Sequence, residues 1–327
     1  DPLEFRRRNI LRGERPQATG TPMKDAATEA VLERLAERMN WEAPFDRGQG
    51  TIRRGRGIAI GFKASISHTT SVAIVNLYAD GSCSVYCNTV DMGQGSDTAM
   101  AQIAAEALNI PAESVKVVHA DTDVTPFDMG TLGSRSTFHM GNAVRLAAED
   151  ARDQQLALAA ELGLPPETTP AAELFRKKYG MQAGNIVGIG TFNPHSVPPD
   201  LASGLSPDIT PFWMVGGTGA EVEVDTETGH VRITRLVNIA DLGKPINPKI
   251  VATQLSGAAV MQLGCTMSER MQYVAGQLTN GSLADYKIPG MRDLPQHMEN
   301  DYVEARQHSG PHGAKGVGET ATFGVSP

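Results

Sequence analysis

A chain of 327 residues, 40% of them hydrophobic and 34 of them glycine, is long enough to bury one or two sizeable cores and is rich in loops. Its formal net charge of −8 argues against nucleic acid or an anionic membrane surface as partner. No apolar run approaches the ~18 residues needed to span a bilayer, and three cysteines make no disulfide framework, so the composition reads as part of a cytoplasmic enzyme.

Residues 26–40 form an amphipathic helix with Ala27, Val31, Leu32, Leu35 and Met39 on one face, followed by a Gly/Arg linker to about Gly57. Residues 71–79 and 82–89 pair as a hairpin across Asp80-Gly81. Cys83 and Cys87 lie four apart on its second strand and share a side. They read as core thiols, as does Cys265 on a later helix, because no His or further Cys stands near to complete a metal site. Met92-Gly-Gln-Gly-Ser96 then opens a helix with Ser96 as N-cap, Met100, Ile103, Ala104, Ala107 and Leu108 on one face, and Pro111 as its stop. A strand over 115–119 and the loop Gly130-Thr-Leu-Gly-Ser-Arg-Ser-Thr137 lead to a long helix over 143–162.

The second half begins with a linker over 163–170 and a helix over 171–179. A strand over 185–192, a Pro-rich loop to Pro211, and a hairpin of 220–225 with 230–240 follow. A helix from about Lys249 to Arg270, a hairpin around Asn280-Gly281 and a glycine-rich loop carrying Glu319 complete the chain. The class is α+β, mixed sheets with packed helices. Four stretches are expected: 1–50 as a helical lead and linker, 51–162 as a first α+β region, 163–210 as a connection, and 211–327 as a second α+β region ending in the Glu319 loop.

Three turns bear on chemistry. Gly310-Pro-His-Gly-Ala-Lys-Gly-Val-Gly-Glu-Thr320 delivers one carboxylate on a turn that can approach a ligand closely. Glu319 is a candidate base in a dry pocket, with a raised pKa; taken alone, the loop reads first as a solvated surface turn. Strand, Gly-x-Gly, helix N-terminus at Met92 to Ser96 is anion-binding geometry, although by itself it is also an ordinary strand-to-helix turn. The third, Gly130 to Thr137, gathers hydroxyls, glycine N–H groups and Arg135, which suit a phosphate or pterin edge; Arg135 can instead pair with Asp128. Gln262 shares a helix face with Leu255, Ala258 and Ala259, so it needs a partner, either neighbouring backbone or a ligand. His312 reads as a turn residue. No Walker lysine, Rossmann fingerprint or zinc-type histidine spacing is present.

In order, Met92-Gly-Gln-Gly95, Gly130 to Thr137, Asp241-Leu-Gly-Lys-Pro-Ile-Asn-Pro248, Gln262, Tyr286-Lys-Ile-Pro289 and Gly316-Val-Gly-Glu319 resemble the xanthine dehydrogenase / aldehyde oxidase family of molybdenum hydroxylases. The resemblance is to the C-terminal half of the molybdenum-cofactor-binding large subunit, from Asp1-Pro-Leu-Glu-Phe-Arg-Arg-Arg-Asn9 to Ser326-Pro327. It implies a molybdopterin-binding fold and oxidative hydroxylation of an aldehyde or N-heteroaromatic carbon with water as oxygen source. Glu319 would be the base. Met92, Gly93, Gln94 and Gly95 would hold the pterin; Thr131, Gly133, Ser134, Arg135, Ser136 and Thr137 its phosphate side. Gln262 would contact the pterin or an equatorial or apical ligand of molybdenum, and Gly318 would contact the cofactor. The metal would be carried by the pterin dithiolene, in a cytosine dinucleotide form of the cofactor, with no protein ligand.

The same resemblance implies [2Fe-2S] and FAD on partner chains: the N-terminal half of the molybdenum subunit, an Fe–S subunit and an FAD subunit. It also makes the chain a fragment, a processed chain or one piece of a split subunit. Gly133-Ser-Arg-Ser136 departs from the small apolar residues of the xanthine-type loop, away from purines. A carbon monoxide dehydrogenase-type subunit and a non-catalytic cofactor-binding or assembly subunit are the other readings.

Overall fold

The computed structural model describes residues 1–13, 15–180 and 184–327. The chain opens with α1 (Pro2–Asn9), its first N–H groups taken by the Asp1 carboxylate, and α2 (Thr28–Arg38). Then come β1 (Ile52–Ala64), β2 (Ser71–Tyr78), β3 (Cys83–Tyr86), α3 (Ser96–Leu108), β4 (Val115–Val118), α4 (Ser136–Glu161), α5 (Ala171–Tyr179) and β5 (Asn185–Phe192). The rest is β6 (Trp213–Asp225), β7 (Val231–Asp241), α6 (Pro248–Met267), the two-residue strands β8 (Tyr273–Val274) and β9 (Gln277–Leu278), α7 (Leu283–Tyr286) and β10 (His297–Val303).

Two four-stranded mixed sheets organise these pieces, in the orders β1-β6-β7-β10 and β4-β3-β2-β5; β7/β10 and β3/β4 are the parallel pairs. Along β7 the side chains alternate between faces. Val237 and Ile239 pack with Val31, Leu32 and Leu35 of α2, while Leu236 and Ala240 pack with Val251, Leu255 and Ala259 of α6. The first sheet is thus covered on both faces, and Ala321, just past Glu319, lies in the α6 layer. On the second sheet α3 and α4 cover one face. α4 sits on β5 so closely that a Cβ on Gly188 or Gly190 would lie 2.0 Å from the carbonyl oxygens of Ala147 and Ala143; only glycine permits that approach. Phe138 of α4 stacks on Phe212 with ring centroids 4.5 Å apart, joining the two halves.

Several expectations change. The linear division at residues 50, 162 and 210 is not how the sheets are built, since β1 pairs with β6 and β5 with β2. β1 begins inside the expected Gly/Arg linker, at Ile52. Its arginines find fixed partners, Arg54 on Glu223 and Arg56 over the Trp41 ring. α4 starts at Ser136, seven residues before the expected 143. The last hairpin turns at Ala275 and Gly276, while Asn280 bonds back to Gln272 and Arg270. Cys83 and Cys87 are buried, their thiols pushed up to about 12 by burial, but Cys265 is exposed. Among the described residues, α6 is the one helix long and apolar enough to cross a membrane by length and composition. Its apolar residues are partly used on β7 and the Glu319 turn.

Candidate active site

The three glycine-rich turns converge. Met92, Gln94, Gly95, Thr131, Gly133, Ser134, Ser136, Thr137, Gly318 and Glu319 all line one cavity of about 360 Å³. Its remaining walls come from the segment after β7 and the start of α6, including Lys244, Asn247, Ile250 and Gln254. Asn247 caps α6 by accepting from the Lys249 and Ile250 N–H groups at 3.2 Å. Its amide also donates to Gln102 of α3 at 3.1 Å, tying the start of α6 to the middle of α3.

The Gly-x-Gly turn differs from the anion-site expectation. Asp91 Oδ1 accepts from Gly93 N–H at 2.8 Å and Gly95 N–H at 3.3 Å, and its Oδ2 accepts from Asp97 N–H at 3.2 Å. The chain's own carboxylate therefore occupies the donors that would hold an anion. Burial opposes ionisation of Asp91, but these N–H groups hold its pKa below the ordinary carboxylate value. Gly93 does not line the cavity. Gln94 donates to Val90 O at 2.7 Å and accepts from Met92 N–H, which fixes the loop it sits in. The N-cap of α3 is Gly95, in left-handed backbone, and not Ser96. Relieved of capping, Ser96 faces the cavity, 5% exposed, and its hydroxyl has no partner among the described residues.

Glu319 lines the same cavity. Ser134 Oγ donates to its Oε2 at 2.9 Å and accepts from its N–H at 3.1 Å; Lys63 of β1 forms an ion pair with the same Oε2. Ser134 thus serves the carboxylate, not a phosphate edge. Its backbone lies at φ 59°. Gly316 passes directly over it. Glu319 keeps 42% of its side-chain exposure, so the pocket is open and not dry. Lys315 secures this loop from beneath: fully buried, it donates to Asp241 Oδ2 at 2.7 Å and to Asp25 O.

Two expected contacts lie elsewhere. Arg135 is fully buried behind the cavity, donating to both Asp128 oxygens at 2.8 Å and to Ser71 Oγ at 2.8 Å. Gln262 lies two turns along α6 from the cavity and donates to Ser326 Oγ at 2.6 Å. The glutamine that does line the cavity is Gln254. His312 is a turn residue at φ 49°, with Nε2 3.2 Å from Ile103 O.

Residues 30–295 match the sequence pattern of the molybdopterin cofactor-binding domain. The chain belongs to that family. The molybdopterin-binding domain is 31% identical to the probable hypoxanthine oxidase XdhD of Escherichia coli strain K12, over 96% of this chain and 34% of that protein. It is 30% identical to the xanthine dehydrogenase molybdenum-binding subunit of Escherichia coli O157:H7, over 100% of this chain and 46% of that one. The fold matches the aldehyde oxidoreductase from Desulfovibrio gigas with a TM-score of 0.83 and 26% identity, over 100% of this chain and 35% of that one. These relatives are oxidoreductases, and the domain is a region of a molybdenum hydroxylase large subunit. It spans about a third to a half of their length.

Proposed function

We propose that this domain is the cofactor-binding and catalytic part of a molybdenum hydroxylase that oxidises an electron-poor carbon of an aldehyde or N-heteroaromatic compound. One observation carries the reading: Glu319 and Ser96, whose buried hydroxyl has no partner among the described residues, line the same cavity of about 360 Å³. Among the described residues no cluster of His, Cys, Asp or Glu could ligate a metal. The cavity instead offers hydroxyls, amides and glycine backbone, which suit a group that brings its own metal ligands. Bound there, a molybdenum–pterin group would supply the two-electron oxidant, with water as the oxygen source.

Gln94, Ser96 and Gln254 would hold the pterin through hydrogen bonds. Glu319 would accept a proton from the oxygen nucleophile on its carboxylate. Ile250 and Val251 would keep water from that face. A neighbouring cavity of about 420 Å³ shares Lys244, Pro245 and Ile246 with the first and adds Gln102, Asn109 and His312. Lys244 has no ion-pair partner among the described residues, and a phosphate of a cytosine dinucleotide form fits its charge.

Fe–S and FAD partner chains, an N-terminal half of the subunit and a cytoplasmic location belong to the same proposal. The two buried thiols and one exposed cysteine support electrons leaving through another chain. Glu319→Gln tests the reading. It should keep fold and molybdenum content and lower substrate turnover by ~10²–10⁴-fold. A variant that reduces molybdenum at the parent rate in anaerobic single-turnover experiments removes Glu319 from the chemistry.

A further inference from the structure

Both donors to the Glu319 side chain end on one oxygen. Lys63 Nζ and Ser134 Oγ meet Oε2, and among the described residues nothing donates to Oε1. Lys63 was not singled out by any motif, yet the fold places it firmly. β1 runs in unbroken antiparallel register with β6, from Ile52 opposite Asp225 to Ala64 opposite Trp213. Lys63 and Gly61 are two apart and share a face. At Gly61 that face meets Phe323, whose Cβ would lie 2.7 Å from any Cβ placed on the glycine. The end of β1 thus touches the turn around Glu319 at consecutive positions on one side. The pair is also accessible, with 36% of the Lys63 side chain and 42% of the Glu319 side chain exposed.

Resting on the reading of Glu319 as the base, we propose that Lys63 is its positioning residue. Lys63 and Ser134 pin Oε2, which fixes the plane of the carboxylate and leaves Oε1 as the atom that takes the proton. A glutamate carboxylate on three rotatable bonds would otherwise present either oxygen over a wide arc. Two donors on one oxygen, one of them charged, remove that freedom. Proton transfer is sensitive to such misplacement, and loss of position alone can lower a rate ~10²-fold.

The test uses the assembled enzyme and an aldehyde or N-heteroaromatic substrate that the parent turns over. Lys63→Met should lower kcat by ~10–100-fold, with KM within about threefold and molybdenum content unchanged. Lys63→Arg, which can still donate to Oε2, should recover most of kcat. In the Glu319→Gln background, Lys63→Met should add no further loss. In the cofactor-free protein, an amine-reactive succinimidyl ester should acylate Lys63 several-fold faster in Glu319→Gln than in the parent, because the ion pair with the carboxylate engages the amine. If the Lys63 variants keep the parent kcat while Glu319→Gln is inactive, this proposal alone falls; equal acylation in the two proteins also overturns it. If Glu319→Gln itself keeps the parent kcat, the reading of Glu319 as base falls, and this one with it.

Discussion

Gly316 crosses the Ser134 carbonyl so closely that a Cβ on it would sit 1.7 Å from that oxygen. Both sides of the contact are backbone, so no rotamer change relieves it. Gly316→Ala must therefore move the C-terminal loop away from Ser134 and carry Glu319 with it. We expect turnover to fall by ~10²-fold or more, with reduced molybdenum per protein. Parent-like activity and metal content would mean that the two loops do not meet as described.

Gln254 and Gln262 separate two accounts of α6. Gln254→Ala removes an amide from the cavity wall and should lower pterin content after gel filtration. Gln262→Ala breaks only the bond to Ser326. It should keep the cofactor and cost about 0.5–1.5 kcal/mol in a urea titration. Equal cofactor loss in both variants would contradict the assignment.

Lys315 and Asp241 are each fully buried, and their ion pair anchors the loop that carries Glu319. Lys315→Met strands the Asp241 charge, which typically costs about 3–5 kcal/mol. Removing both charges, as Lys315→Met with Asp241→Asn, should cost less than the two single changes together, because neither charge is left buried alone. Additive losses in denaturant midpoints would count against a coupled pair.

His139 sets an acid limit on stability. Burial first, then the nearby Arg135 charge, lowers its pKa to about 4. The unfolded chain, with histidine near its ordinary value of about 6.5, binds the proton more readily over that range. The sign follows: the contribution is present above pH 6.5 and is lost as pH falls from 6.5 toward 4, reaching about 3 kcal/mol. A neutral isostere, His139→Gln, should flatten the fall in melting temperature over this window. An unchanged pH slope in the variant would assign the loss to other groups.

Much of the site was legible because its turns require particular residues. Gly-x-Gly at a strand end and Gly-x-Gly-Glu near the C-terminus mark backbone turns whatever surrounds them. Partner choice was not legible. Asp91 taking the N–H groups of its own loop, and Ser134 turning to Glu319, depend on directions that spacing does not encode. Gln262 was picked by helical period, and the period did identify buried Leu255, Ala258 and Ala259. The cavity lies beside that stripe, however, where Gln254 points. β10 escaped notice because it is a polar strand, and β1 because it opens with a Gly/Arg run that reads as a linker. The charges of β1 are matched by Glu223 across the sheet, and Asn300 of β10 bonds to Asn238 and Ser256.

The Glu319 contacts reach far along the chain, 185 residues to Ser134 and 256 to Lys63. Contacts of such separation carry the largest loop-closure entropy and form late in folding. A polypeptide emerging during synthesis cannot assemble this constellation until Glu319 itself is out, because Lys63 and Ser134 both precede it by long stretches of chain. Cofactor loading would then report on this loop: a molecule stalled or clipped before Gly316 keeps its two sheets but lacks the wall of the cavity that carries Glu319.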